Sequence, residues 1–282
     1  MKKTVFLSDM THDRAKKEDA FLLAEAHQLY PESEFYVEDW KSDLDWSKYD
    51  MAIIRSTWDY IKNPKVFLDK LKKLESLGLR ICNPIDTVEW NMNKLYLLDL
   101  AYKGIRIIPT VATNSSLLKV ASDVKSWNSH EVILKPVFGA GSHGVRRFET
   151  SILLNQLAQI VAENPDHIIQ PFIERIFDGE FSYFYFDNKF SHSIVKVPME
   201  TEFRVQEEFG GIPKSVTPKE NHLSFCEGIV SLNPNLLYQR IDFVEWEGEP
   251  HLMELELIEP SLYFAQSIEG LSNYLSAVAK LK

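Results

Sequence analysis

Apolar and polar positions follow two rhythms along this chain. Residues 4–8 form a short apolar-centred run that predicts a buried strand, and residues 18–29 carry Phe21, Leu22, Ala24 and Leu29 at helical spacing. Two more stretches, 34–38 and 51–55, predict strands. Pro64 then opens a helix that reaches Leu77, Gly78 ends it, and 80–82 is a fourth short strand. Strands alternating with helices predict a parallel α/β sheet over residues 1–88, with its functional loops at the carboxyl ends of the strands.

Downstream the rhythm changes. Residues 90–103 predict a linker helix, 109–116 are irregular, 131–135 form a strand running into a glycine-rich turn, 151–163 read as helix and 167–171 as strand. Residues 89–173 are therefore expected to hold the linker helix and a small α+β lid. From 174 to 282 long strand signals dominate, at 180–187, 189–197, 237–246 and 252–257, with helices over 219–231 and 265–280. This last unit is expected to be an antiparallel sheet with helices, making the whole a mixed α/β (α+β) chain of three subdomains.

Composition removes several function classes. A length of 282 residues suits two or three units, and 45% hydrophobic content excludes global disorder. With 31 basic against 41 acidic residues the net charge is −10, which argues against nonspecific nucleic-acid binding; a phosphate ligand would need the cations gathered where it binds. Two cysteines, Cys82 and Cys226, allow no CxxC-type metal site and suit a reducing cytoplasmic setting. The apolar run at the start is too short for a signal peptide, and nothing approaches the ~18 apolar residues of a membrane span.

With only 11 glycines in the chain, their clustering carries information. In Val132-Ile-Leu-Lys-Pro-Val-Phe-Gly-Ala-Gly-Ser-His-Gly-Val145, a strand ends at Lys135 and Gly139, Gly141 and Gly144 follow within six positions, with Ser142 and His143 among them. Glycines let backbone N–H groups approach an anion, and the strand lysine adds a point charge, a pairing that suits a nucleoside triphosphate. The spacing is neither a P-loop nor a Rossmann fingerprint. A hairpin turn with an incidental lysine is the structural alternative.

A second constellation lies near the C-terminus. Period-two alternation puts Arg240 and Asp242 on one strand face, and Glu254 and Glu256 on one face of the next, with Met253, Leu255 and Leu257 opposite. A three-residue connection, Glu247-Gly-Glu249, sets Asp242 across from Glu254 and Arg240 across from Glu256. Such carboxylates repel unless a hard cation such as Mg²⁺ sits among them. A solvated edge hairpin is the competing reading, and one slip of register would scatter the cluster.

Weaker signals surround these two. Gln170-Pro-Phe-Ile173, followed by Asp178-Gly-Glu180, forms a hinge able to offer backbone groups to a base and an acid to a ribose. Lys94 reads as a helix lysine. Phe203-Arg-Val-Gln-Glu-Glu-Phe-Gly-Gly211 joins Arg204 to the paired amides of Gly210 and Gly211, an anion or oxyanion candidate. Arg55, Ser56, Thr57, Trp58 and Tyr60 follow a predicted strand and are expected to meet a carboxylate-bearing, amino-acid-like substrate. Lys196 and the Glu207-Glu208 pair are candidates for a second substrate, with surface charge as the alternative.

In this order the segments resemble the ATP-grasp superfamily, and most nearly its prokaryotic glutathione synthetase-like branch, which includes the cyclo-ligase of D-cycloserine biosynthesis. Segments like Arg55-Ser-Thr-Trp-Asp-Tyr60, Asn83-Pro84 and Glu254-Leu-Glu-Leu-Ile-Glu-Pro260 occur in that branch, so the resemblance spans nearly the whole chain. It implies ATP with Mg²⁺, two ions being expected and Mn²⁺ an acceptable substitute. Lys94 and Lys135 would meet the phosphates under the loop of Gly139, Gly141, Ser142 and Gly144. Gln170, Pro171, Phe172 and Ile173 would lie along the adenine and Glu180 on the ribose. Asp242, Glu254 and Glu256 would bind metal, Glu256 standing where the family often has Asn. Arg204 and Arg240 would approach the transferring phosphoryl group or the acyl phosphate, and Lys196 counts with them as a catalytic candidate. The implied activity is an ADP-forming carboxylate–amine ligase, or an intramolecular cyclo-ligase, working through an acyl phosphate on a small amino-acid derivative. A kinase acting on a hydroxyl and a non-catalytic nucleotide-binding regulator fit the same residues. No nucleic-acid or membrane partner is expected, and association with further copies of the chain stays open.

Overall fold

The computed structural model describes residues 2–139, 141–199 and 202–281, so that Ala140 of the glycine loop lies outside the described residues. It contains three sheets. The first is parallel throughout, in the order β2 (Glu34–Asp39), β1 (Lys3–Ser8), β3 (Met51–Ser56), β4 (Arg80–Cys82). Alternation along β1 sends Phe6 to one face and Val5 and Leu7 to the other, and the two faces feed separate cores. Helix α1 (Asp13–Leu29) covers the first face with Leu22 and Ala26, and α2 (Pro64–Ser76) covers the second with Phe67, Leu71 and Leu74 at i, i+4 and i+7. Helix α1 begins five residues before the expected Glu18.

The expected single linker helix is two helices, α3 (Ile85–Asn91) and α4 (Tyr96–Tyr102). Asn93 breaks it: its side-chain oxygen accepts from the Leu95 amide at 3.0 Å, while the Lys94 amide leaves for the Val137 carbonyl at 2.9 Å. Lys94 therefore sits in a turn, not on a helix. Helix α4 packs its Tyr96, Leu97 and Leu100 against the third sheet.

The second sheet is antiparallel, in the order β5 (Val111–Ala112), β8 (His167–Pro171), β6 (Glu131–Pro136), β7 (Arg146–Glu149). Helix α5 (Leu117–Ser126), which the sequence pattern did not suggest, covers it together with α6 (Thr150–Asn155) and α7 (Leu157–Glu163), a pair broken at Gln156 where one helix was expected. The third sheet is antiparallel, in the order β11 (Ile212–Ser215), β10 (Lys189–Val197), β9 (Glu180–Phe186), β12 (Tyr238–Trp246), β13 (Glu249–Glu256), with α8 (Glu220–Leu232) and α9 (Ile268–Lys280) against it.

Buried polar groups tie the first sheet to the third. The Asn83 amide donates to the carbonyls of Tyr238 at 2.9 Å and Leu257 at 2.8 Å, and Arg55 donates to the Pro260 carbonyl at 3.0 Å. Cys82 and Cys226 are buried and unpaired. Among the described residues no helix is long and apolar enough to cross a membrane.

Candidate active site

Two cavities meet where the three sheets converge. The first, about 100 Å³, lies between the second and third sheets. Strand β6 carries Lys135 as its next-to-last residue, and its ammonium has no hydrogen-bond or ion-pair partner among the described residues; burial pulls its pKa down, against the opposing pull of Glu254. The glycine loop joins β6 to β7 as a hairpin over this cavity. At Gly144 the backbone is left-handed, with φ of +75°, and a Cβ would stand 2.9 Å from the Pro136 ring, so the turn closes only on glycine. Ile108, Ile133, Ile173, Ile176, Val205 and Met253 make an apolar slot beside Gln170, Pro171 and Phe172. That slot is the shape and polarity a planar base requires.

The second cavity, about 300 Å³, lies between the first sheet and the acidic hairpin. It shares Lys94, Gly139, Gly141, His143, Gln206 and Glu254 with the first. At the common wall Lys94 donates to Glu254 at 2.5 Å and to the Gly139 carbonyl at 2.8 Å. Burial alone would raise the Glu254 carboxyl, and Lys94 overrides it to bring the pKa below the ordinary value.

The acidic hairpin has the expected register by an unexpected route. The turn has two residues, Glu247 and Gly248, both with positive φ, and pairs Trp246 with Glu249. A one-residue irregularity between Asp242 and Phe243 then restores Asp242 opposite Glu254 and Arg240 opposite Glu256. The bulge also turns Met253, expected on the far face, into the first cavity beside Glu254.

Charges in this hairpin are already paired. Arg240 donates to both Asp242 oxygens, at 3.0 and 2.8 Å, and to Glu256 at 2.5 Å. Lys196, 2% exposed, bridges Glu180 at 2.5 Å and Asp242 at 3.0 Å. Burial would push Asp242 up, but Arg240 and Lys196 hold it well below the usual carboxylate range. Burial raises Glu256 to about 7 against the pull of Arg240, with Asp242 and Glu254 adding to the rise.

Comparison with known proteins decides what this pair of cavities is. Residues 93–260 match the model of the prokaryotic glutathione synthetase ATP-grasp domain, and residues 5–83 match that of the N-terminal domain of D-cycloserine synthetase DcsG. The chain belongs to the prokaryotic glutathione synthetase ATP-grasp family. This ATP-grasp chain is 28% identical over 262 residues to the cycloserine biosynthesis protein DcsG of Streptomyces lavendulae, covering 86% of this chain and 87% of that protein. The crystal structure of D-cycloserine synthetase DcsG superposes with a TM-score of 0.83 at 26% identity, over 99% of each chain. A D-alanine–D-alanine ligase from Bacillus anthracis complexed with ATP shares the fold, with a TM-score of 0.70 at 16% identity over 99% of this chain and 97% of that one. The protein is an enzyme that joins a carboxylate to an amine at the expense of ATP, and its family uses a divalent metal.

Within the ATP-grasp frame, Lys94, Lys135, Gly139, Gly141, Ser142, Gln170, Pro171, Phe172, Ile173, Glu180, Arg204 and Glu254 line the first cavity. Trp58, Arg240 and Glu256 line the second. Others do not reach either. Arg55, Ser56 and Thr57 are 2%, 0% and 0% exposed and belong to the joint between sheets, because they lie on or directly after the buried strand β3. The Gly210 and Gly211 amides are spent on the Glu207 and Gln206 carbonyls, and a Cβ on Gly211 would lie 1.9 Å from the Val205 carbonyl oxygen. They shape a turn and offer nothing to an anion. Lys196 is enclosed by its two acids, and Arg204 donates to Glu202 at 2.5 Å while stacking over Phe209. Among the described residues no three His, Cys, Asp or Glu side chains converge in a metal-binding arrangement. Glu254 and Glu256 nevertheless each keep one oxygen without a protein partner and fit a cation that takes two carboxylates and completes its shell with phosphate oxygens and water. Asp242 joins them only by giving up a bond to Arg240 or Lys196. Tyr60, expected beside Trp58, also lines the second cavity, whereas the apolar base slot and the cavity residues Glu259 and Tyr263 escaped the sequence reading, because apolar contacts and isolated side chains carry no spacing signature.

Proposed function

We propose that the enzyme is an ADP-forming ligase that activates a small amino-acid derivative as an acyl phosphate and closes it on its own nitrogen. The carrying observation is the junction of the two cavities. A base slot runs past the unpartnered Lys135 to Lys94 and Glu254, and directly beyond them opens a chamber sized for one small molecule. Ring closure is supported by the likeness of both parts of the chain to D-cycloserine synthetase.

A carboxylate is a poor acyl donor. Its oxygen must bond to the γ-phosphorus, releasing ADP, before a nitrogen displaces phosphate at the carbonyl carbon. The chain's residues supply positions and charge for this. Lys135 and Lys94 hold the phosphate oxygens, the loop of Gly139 and Gly141 covers them, and Gln170 to Ile173 seat the base with Glu180 toward the ribose. Arg240, held by Asp242 and Glu256, faces the chamber where the acyl phosphate forms, and Arg204 stands at the nucleotide side. Lys196 fixes Glu180 and Asp242 and touches no substrate. Glu254 and Glu256 would hold Mg²⁺, which offsets phosphate charge when bound. A cytoplasmic, small-molecule role without nucleic-acid or membrane partners accompanies this reading.

Hydroxylamine separates the ligase from a kinase. The account expects hydroxamate formation together with ADP and phosphate release; a stable phosphorylated product in place of hydroxamate would overturn it.

A further inference from the structure

A nitrogen that attacks the carbonyl carbon of an acyl phosphate must shed a proton, and the cations gathered around the phosphates cannot take it. Charged Lys94, Lys135, Arg204 and Arg240 hold no free electron pair for the purpose. The reacting bond lies where the two cavities join, with phosphorus on the nucleotide side and carbon in the chamber. Six residues line both cavities. Gly139 and Gly141 have no side chain, Gln206 carries a neutral amide, and Lys94 and Glu254 are taken up by each other at 2.5 Å. The sixth is His143. Histidine is the side chain that exchanges a proton near neutral pH without special help.

The backbone builds the place of this histidine. In the glycine loop φ is +61° at Gly141, +57° at Ser142 and +75° at Gly144. Glycine takes left-handed backbone freely and serine does not, so the loop is strained at the residue directly before His143. The imidazole is exposed and has no hydrogen-bond or ion-pair partner among the described residues. A Cβ on Gly141 would stand 3.8 Å from His143 Nε2 and 3.9 Å from Glu208 Oε2, so the missing side chain leaves room for ring and acid to meet. Glu208 comes from the segment after β10, is exposed, and is itself without a partner among the described residues. The other charges of that segment are matched, Glu207 by Arg14 and Arg204 by Glu202, while Lys94 and Glu254 match each other across the junction. A carboxylate beside an imidazole fixes the ring and favours the imidazolium that proton uptake creates.

We infer that His143 is the general base of the carbon–nitrogen bond-forming step and that Glu208 positions it. This rests on the ring-closing ligase reading. In the step the nitrogen lone pair bonds to the carbonyl carbon, and the bond from that carbon to the phosphate oxygen breaks, its electron pair leaving with phosphate. The N–H proton passes to the unprotonated ring nitrogen of His143, which later returns it to water. The imidazole has to be neutral beforehand. Acid therefore slows bond formation to nitrogen and spares the earlier transfer of the phosphoryl group, in which the substrate carboxylate carries no proton to remove.

Rapid quench of the full chain with Mg²⁺, ATP and the probe β-aminooxy-D-alanine, whose closure gives D-cycloserine, reads the two steps apart. ADP reports the first and the ring the second. The wild type is expected to form one ring per ADP, with closure that quickens as the pH rises from the acid side. His143→Gln should form ADP at nearly the wild-type rate yet close the ring about 10²-fold more slowly and without that acid limb. Its stranded acyl phosphate then goes to water, so ADP outruns ring. Added imidazole should restore closure to His143→Ala, since the exposed loop admits it, and Glu208→Gln should slow closure several-fold while keeping the limb. His143→Gln closing the ring at the wild-type rate, with the limb intact, would overturn the base and give the proton to phosphate or to a chamber acid such as Glu256 or Glu259. Equal loss of ADP and ring with a raised KM for ATP would also overturn it, since His143 would then be a phosphate contact. Failure of the wild type to form ADP or to close the ring would sink the ligase reading and the base with it, whereas normal ADP and ring in all three variants would sink the base alone.

Discussion

Lys94 and Glu254 meet at 2.5 Å on the wall that the two cavities share, so one ion pair separates the nucleotide side from the substrate side. Each neutralises the other, and in the proposed function a phosphate takes the lysine and a metal the acid. Lys94→Met should raise the KM for ATP by about 10- to 100-fold and leave a half-buried Glu254 without its ion pair. Glu254→Gln added to it should cost less than the two single losses combined, with a coupling of roughly 1–3 kcal/mol in kcat/KM. A double-mutant cycle that is additive would show that the pair does not act as a unit.

Lys135 differs from Lys94 in having no partner among the described residues. Its half-buried cation is partly stripped of water in the free protein, a cost that an anion offsets. Lys135→Met should therefore raise the melting temperature of the nucleotide-free enzyme while weakening ATP binding by at least about 10-fold, read by calorimetry. A variant with lowered melting temperature and normal ATP affinity would remove the phosphate role.

Arg55 is expected to matter for folding far more than for catalysis. It donates to Pro260 and lies 3.8 Å from Asp19, whose carboxyl burial pushes up and Arg55 pulls back. Arg55→Met should lower unfolding free energy by about 3–5 kcal/mol by stranding the buried Asp19 charge. The folded fraction should keep its KM for ATP, as denaturant titration and steady-state kinetics would show together. Intact stability with a large loss of turnover would return Arg55 to the substrate site.

His192 supplies a pH dependence away from the catalytic groups. Burial depresses its pKa from 6.5 to about 4, against a bond to the Leu262 carbonyl, and its ring stacks on Phe184 at 4.2 Å. The unfolded chain takes up a proton near 6.5 and the folded one does not until about 4. Stability is therefore fully present above pH ~6.5 and declines as the pH falls toward 4, by about 3 kcal/mol over the window. His192→Gln should flatten that part of the stability profile measured by urea unfolding, and an unchanged slope would assign it elsewhere.

Much of the fold was legible because its signals are local. The period of β1 to β4 and the helices between them predicted a parallel sheet, and the long strands after residue 180 predicted the antiparallel one. Asn93 ended the linker helix through a side-chain bond that apolar spacing does not register. The acidic hairpin shows a prediction reached by compensation. A three-residue connection was expected, and a two-residue turn with a bulge gives the same pairing of Asp242 with Glu254. The bulge was invisible to strict alternation, and so was the inward turn of Met253. The residues that failed to reach the cavities, Arg55 and the Gly210-Gly211 pair, have the right chemistry in sequence. Tertiary packing spends that chemistry on the joint between sheets and on a turn, which composition and spacing cannot reveal.

The central claim is that the substrate's own carboxylate takes the phosphoryl group. A substrate labelled with ¹⁸O in its carboxylate, turned over with unlabelled ATP, tests it by mass spectrometry of the released phosphate. Acyl-phosphate formation predicts one labelled oxygen in each phosphate, because the oxygen that bonds to phosphorus leaves with it when nitrogen attacks the carbonyl carbon. Unlabelled phosphate, or a phosphorylated product with no phosphate released, would contradict the account.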